Sequence, residues 1–139
     1  HTAVLDICKW GTDDGDQKMK SRYYPHIDKA KVFGDHYVRD FSEHSRGVAV
    51  DVSLLYAKTG KPVDMGGHHD LLDPSSTTDS TFVTPSQRRN RMILKTAFEK
   101  QGFANYAPEW WHYRLLNEPE PTLHYYFPAW DRMTSAGRP

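Results

Sequence analysis

Apolar and polar residues alternate most regularly over Gly47-Val48-Ala49-Val50-Asp51-Val52-Ser53-Leu54-Leu55-Tyr56, and a period of two predicts a β-strand. Val48, Val50, Val52 and Leu54 fall on one face; Ala49, Asp51 and Ser53 fall on the other. Lys58-Thr59-Gly60-Lys61 reads as a hairpin turn, with Pro62-Val63-Asp64-Met65 returning. After residue 84 the period changes to that of a helix. Leu94, Ala97, Phe98 and Gln101 follow i, i+3, i+4, i+7, and Met92 and Ile93 widen the apolar stripe. Thr84 suits the N-cap, Pro85 the first helical position, and Gly102 the stop. A turn over 105–108 leads into a second predicted strand, 109–116.

The remaining segments are less regular. Residues 3–10 read as a short buried helix, ended by turn chemistry between Gly11 and Gly15. Residues 18–36 read as loops with at most one short helix, broken at Pro25. Residues 66–84, rich in Ser, Thr and Asp, predict a long surface loop, a length that in compact domains often serves function. Tyr125-Tyr126-Phe127 suggests an edge strand before Pro128. No strand–helix–strand alternation is present. The expected class is therefore α+β, an antiparallel sheet flanked by helices.

Composition narrows the function. The chain has 139 residues, enough for one domain with a real core. Hydrophobic residues make up only 37% and aromatics 13%, so the core should lean on Trp, Tyr and Phe. Lys+Arg and Asp+Glu are 18 each, which argues against a dedicated nucleic-acid binder. The run Gln87-Arg88-Arg89-Asn90-Arg91 then reads as a solvated helix start. No apolar stretch approaches a membrane span. Cys8 stands alone, so neither an internal disulfide nor a cysteine zinc knuckle can form. His1 is not an initiating residue, so the N-terminus gives no reading of compartment.

Eight histidines turn attention to His/carboxylate metal chemistry. Asp51 is a carboxylate on an otherwise apolar strand and needs a partner there. A metal shared with His44 is one solution; an ion pair with Arg46 is another. Glu109-Trp110-Trp111-His112 can add a second histidine, completing two histidines and one carboxylate and leaving the fourth zinc position open. Glu109 would then be free to act as general base. Residues 109 and 112 point to opposite faces of a regular strand, so Glu109 must lie in the preceding loop or on a bulge. The plainer alternative is a pair of core tryptophans beside a hydrogen-bonded histidine. His26, His36 and His124 sit among aromatics and read as core-rim residues. His68 and His69 are adjacent and should point apart, which speaks against both binding one metal.

Ser42-Glu43-His44-Ser45-Arg46-Gly47-Val48-Ala49-Val50-Asp51 fits Ser-x-His-x-x-Gly-x-Ala-x-Asp throughout. With Glu109-Trp110-Trp111-His112 about sixty residues on, the chain resembles the VanX-type D-alanyl-D-alanine dipeptidases. These belong to a zinc peptidase group sharing a fold with the hedgehog signalling domain. The resemblance extends to Asp64-Met65-Gly66, Asp70, Asp73, the 87–91 run and Gly102-Phe103. It implies a hedgehog/D-Ala-D-Ala peptidase-like fold and one zinc ion per chain, held by His44, Asp51 and His112. It also implies Glu109 as catalytic base, Asp70 as the carboxylate receiving the dipeptide's ammonium, and Ser42 lining the substrate end of the site.

The expected activity is zinc-dependent hydrolysis of D-Ala-D-Ala to D-alanine, with a small dipeptide as partner and neither nucleic acid nor membrane. Two alternatives stand beside it. One is a related D,D-carboxypeptidase or L-Ala-D-Glu endopeptidase; the other is a non-catalytic zinc-stabilised binding domain. In the family a Tyr-Arg-Pro segment supplies an oxyanion-stabilising arginine, and by collinearity it would fall just before His1. The expectation is thus a single domain over 1–139 lacking the family's N-terminal portion, either as a fragment or as a nicked enzyme whose other piece is a separate chain. Family members occur in bacterial cytoplasm and periplasm, and oligomeric state is left open.

Overall fold

The computed structural model describes residues 2–34 and 42–119. Helices α1 (Thr2–Gly11), α2 (Lys20–Tyr23) and α3 (Lys29–Gly34) open the chain. Strand β1 (Ala49–Asp51), helix α4 (Pro85–Glu99), and strands β2 (Phe103–Asn105) and β3 (His112–Leu115) follow. The sheet is antiparallel in the order β1-β3-β2, with Asp51 opposite His112 and Asn105 opposite Tyr113. The expected α+β class is what the structure has. Residues His36, His124 and 125–127 lie outside the described residues.

The core is aromatic, as the composition required. Trp110, Trp111 and Tyr113 are buried with Met65 and Leu94, and Val52, Leu54, Val63, Phe98 and Phe103 pack around them. Phe98 brings α4 onto the sheet, its ring 5.4 Å from Phe103 and 4.6 Å from Tyr113. α4 starts with a capping box: Thr84 accepts from the Gln87 backbone while the Gln87 side chain accepts from the Thr84 N–H. A second cluster gathers Trp10, Tyr24 and Lys29, whose ammonium lies 4.1 Å from the Trp10 ring centre.

Several expectations need correction. The first helix forms but is not buried, because Leu5 and Ile7 face outward. The described part of 18–36, residues 18–34, contains two short helices rather than one at most. The first strand is ladder-paired over three residues only. Beyond it the chain stays extended and closes the expected hairpin, with Val63 N–H donating to Leu54 O at 2.9 Å and Leu55 bridging Pro62. Val50 is exposed while Ala49 is buried, so the valine face is not the inner one there. The second strand begins at His112 instead of 109, and β2 is an additional strand that the sequence pattern does not signal.

The largest difference concerns residues 66–84 and the arginine run. Asp73, Ser76, Thr78 and Ser80 are buried, so the middle of this segment turns inward, while residues 68–70 and Phe82 stay on the surface. Arg91 is fully buried too, and the inner face of α4 passes through Arg91 and Leu94, leaving Met92 and Ile93 exposed. The Arg91 guanidinium donates to Met65 O, Ser75 O and Thr77 O at 2.7, 2.7 and 2.8 Å. Inward-facing carbonyls need partners, and one arginine supplies three. Burial pushes its pKa down to about 10, so it remains a cation at neutral pH.

Arg91→Met should therefore lower stability by about 3 kcal/mol or more, since three buried carbonyls lose their donor. Arg88→Met, on the exposed face, should stay within about 0.5 kcal/mol. Equal effects in urea unfolding would contradict the assigned role.

Candidate metal centre

The chain enters the site through a single 3₁₀ turn, Glu43–Arg46. The Ser42 hydroxyl caps it, accepting from the His44 N–H at 3.2 Å. Gly47 ends it at φ 70°, a left-handed conformation suited to glycine. This geometry turns His44 back towards β1, where its Nδ1 lies 3.1 Å from Ala49 O. A carbonyl can only accept, so Nδ1 carries the proton and Nε2 keeps a free lone pair.

On the sheet, Asp51 and His112 are direct cross-strand partners. His112 Nδ1 lies 3.1 Å from Asp51 Oδ1 and 3.2 Å from His44 Nε2, and His44 Nε2 is 3.5 Å from Asp51 Oδ1. A tetrahedral ion with bonds of 2.0–2.1 Å separates its ligand atoms by about 3.3 Å. The three donor atoms thus stand at the spacing one small divalent ion requires. They come from a turn and two strands, and the residues fit a zinc-type centre. The Arg46 alternative for Asp51 does not hold. Arg46 instead makes a two-pronged pair with Glu118, at 2.8 and 2.9 Å.

Glu109 does lie ahead of the strand, in a tight turn. Its N–H donates to Tyr106 O, and His112 N–H donates to Glu109 O, so residues 109 and 112 emerge on the same side. Asn105 fastens this turn, its amide donating to both Glu109 O and His112 O at 3.1 Å. Thr78 in turn donates to Asn105 Oδ1 at 2.6 Å. The buried 73–80 segment also braces the turn from outside, with Trp110 N–H donating to Ser76 O and Thr78 N–H to Ala107 O. Asn105 had no sequence signal beyond a turn-forming residue type. Trp110 and Trp111 are core residues, as the plainer reading had it, yet the adjoining His112 is in the cluster.

Electrostatics separates Glu109, Asp51 and His112. Burial raises the Glu109 carboxyl to about 7; His112 opposes the rise, while Asp51 and Asp70 add to it. Glu109 Oε2 lies 3.7 Å from His112 Nδ1, at the edge of the donor set. Burial also acts to raise Asp51, but the His112 hydrogen bond and the His44, His112 and His69 charges outweigh it and hold Asp51 below the usual range. Burial acts to lower His112, but Asp51, Glu109 and Glu43 overcome it and raise its pKa. Asp70 is exposed and adopts a left-handed backbone at φ 61°. His69 stacks on Trp110 with centroids 5.2 Å apart and its Nε2 3.2 Å from Val52 O. His68 contacts Arg22 O, so the two adjacent histidines do point apart. His26 pairs with Asp73 at 2.6 Å, away from the metal donors.

A family profile for D-ala-D-ala dipeptidase matches residues 2–130. The chain belongs to that peptidase family. It is 42% identical over 126 residues to a D-alanyl-D-alanine dipeptidase of Streptomyces coelicolor, covering 91% of this chain and 62% of that protein. Dipeptidases of the same name from Enterococcus faecalis and Enterococcus faecium are 35% and 36% identical, again over 91% of this chain. The chain spans 62–63% of the length of these three relatives. Among the described residues no helix is long and apolar enough to cross a membrane.

The raised Glu109 pKa has a stability consequence in the metal-free protein. The fold favours the neutral acid, so this contribution is full below the ordinary carboxyl range and is lost as pH rises through about 7. Metal-free Glu109→Gln should then lose less stability than the parent between pH 5 and 8, by on the order of 1–3 kcal/mol. Urea unfolding with chelator present measures it; identical pH slopes would contradict the assignment.

Proposed function

We propose that this chain carries the catalytic centre of a zinc-dependent D-alanyl-D-alanine dipeptidase, hydrolysing D-Ala-D-Ala to two D-alanines. The observation that carries the reading is the meeting of His44 Nε2, Asp51 Oδ1 and His112 Nδ1 within 3.5 Å of one another, with a buried carboxyl beside them. His44, Asp51 and His112 would hold one zinc ion. Zinc bound there supplies Lewis acidity, polarising the scissile carbonyl and easing ionisation of water.

Glu109 does the proton work. Its carboxyl, raised to about 7, is a base strong enough to take a proton from the attacking water near neutral pH. It then returns that proton to the departing amine, so the group ends the cycle as it began. The turn held by Asn105 keeps this carboxyl beside the donor set, fixed before substrate arrives. A purely structural zinc site has no use for such a base, which favours an enzyme over a zinc-stabilised binding domain.

Asp70 supplies the negative charge for the substrate ammonium. Its electrostatic reach to Glu109 supports a position at the same site. A fixed anion at the amino end selects free dipeptides over bonds within a longer chain. The Ser42 hydroxyl caps the ligand turn, and this reading has it also border the substrate end. The biological use would be removal of D-Ala-D-Ala from cell-wall precursors, in glycopeptide resistance or in wall turnover.

Glu109→Ala should keep its zinc while turnover falls by about 10²–10⁴-fold. The parent should release D-alanine from D-Ala-D-Ala and leave N-acetyl-D-Ala-D-Ala nearly untouched. Loss of zinc in the variant would remove Glu109 from the role of base. Equal cleavage of the blocked peptide would remove Asp70 and favour a D,D-carboxypeptidase or an endopeptidase.

A further inference from the structure

His112 meets the other donors through Nδ1, so a metal-bound His112 must carry its proton on Nε2. That N–H needs an acceptor on the side away from the metal. Glu43 stands there, its Oε2 3.7 Å from His112 Nε2. The other oxygen of the same carboxylate is held in place: Arg46 Nη2 and Arg114 Nη1 each lie 3.6 Å from Glu43 Oε1. Arg46 is itself anchored by its two-pronged pair with Glu118. Glu43 thus has one oxygen clamped by two cations and the other turned towards the ring.

Its position in the chain adds to this. Glu43 directly precedes His44 on the capped turn, so one short segment presents His44 to the metal and reaches the far side of His112. The turn is fixed by Ser42 at one end and Gly47 at the other, which leaves little freedom in where the carboxylate sits.

We propose that Glu43 is a positioning residue for the metal centre: its carboxylate, clamped by Arg46 and Arg114, fixes the tautomer and ring orientation of His112. It touches neither substrate nor the reacting atoms and acts through His112 alone. The inference rests on the metal-centre reading above. An outer carboxylate on a ligating histidine typically changes metal affinity by about 10–100-fold.

The test is zinc affinity of the 139-residue chain by competition with a chromophoric chelator, for the parent, Glu43→Gln and Glu43→Ala. Melting of the metal-free proteins is the companion measurement. Glu43→Ala should bind zinc about 10–100-fold more weakly, with metal-free melting little changed. Glu43→Gln keeps an acceptor oxygen without the charge and should fall between. Arg114→Met, at a half-exposed side chain, should weaken zinc severalfold by loosening the clamp. The cobalt-substituted variants should show altered visible bands if the His112 ring has turned. A parent that binds no zinc would remove the metal-centre reading itself. A parent that binds, with both Glu43 variants within twofold of it, would overturn this proposal alone. A loss of affinity matched by an equal loss of metal-free stability would also overturn it, assigning Glu43 to the fold.

Discussion

The site depends on one register. β1 and β3 pair so that Asp51 stands opposite His112. Directly opposed residues on antiparallel strands have Cβ atoms about 4.5–5.5 Å apart on a shared face, close enough for one ion to bridge their side chains. A slip of one residue would send one of the two to the opposite face and dismantle the centre. His44 is then brought to the same point by a turn whose proton on Nδ1 is pinned to Ala49 O. The third member of the cluster arrives through local geometry, whereas the first two arrive through sheet pairing.

The surroundings serve that register with polar struts more than with apolar packing. The segment 73–80 turns several residues inward and has one short 3₁₀ turn, Pro74–Ser76, so its inward carbonyls need donors. Arg91 supplies them from α4, and Trp110 N–H supplies one from the Glu109 turn. Asn105 ties that turn to both Glu109 and His112. The result is a continuous set of bonds from α4, through a partly buried loop, to Glu109 and His112. A low-aliphatic sequence can hold a site rigidly in this way, because each bond is directional and shielded from water.

Much of the site was legible in the sequence and less of the fold. The strand through Val48 to Val52 placed Asp51 correctly, and the face-parity argument required Glu109 to leave the strand, as it does. The hairpin at Gly60 and the capped helix at Thr84 had local chemistry that specified them. Much of the rest is hidden because polarity does not imply exposure. Ser76, Thr78, Ser80 and Arg91 are polar and buried because each finds a partner: Ser76 donates to Leu71 O, Ser80 to Pro74 O, Thr78 to Asn105 Oδ1, and Arg91 to three carbonyls, pairings that no periodicity records. The opposite error occurred at Leu5, Ile7 and Ile93, apolar residues that the structure leaves exposed. β2 is illegible because three residues carry too little alternation to register, and Asn105 because its role depends on the carbonyls of Glu109 and His112, four and seven residues on.

Crystals soaked in zinc and measured at the zinc absorption edge would address the central claim most directly. The account predicts one strong anomalous peak per chain, about 2.0–2.2 Å from His44 Nε2, Asp51 Oδ1 and His112 Nδ1. A dominant peak elsewhere, at His26 and Asp73 or at His68 for example, would contradict it, as would no peak at the three donors.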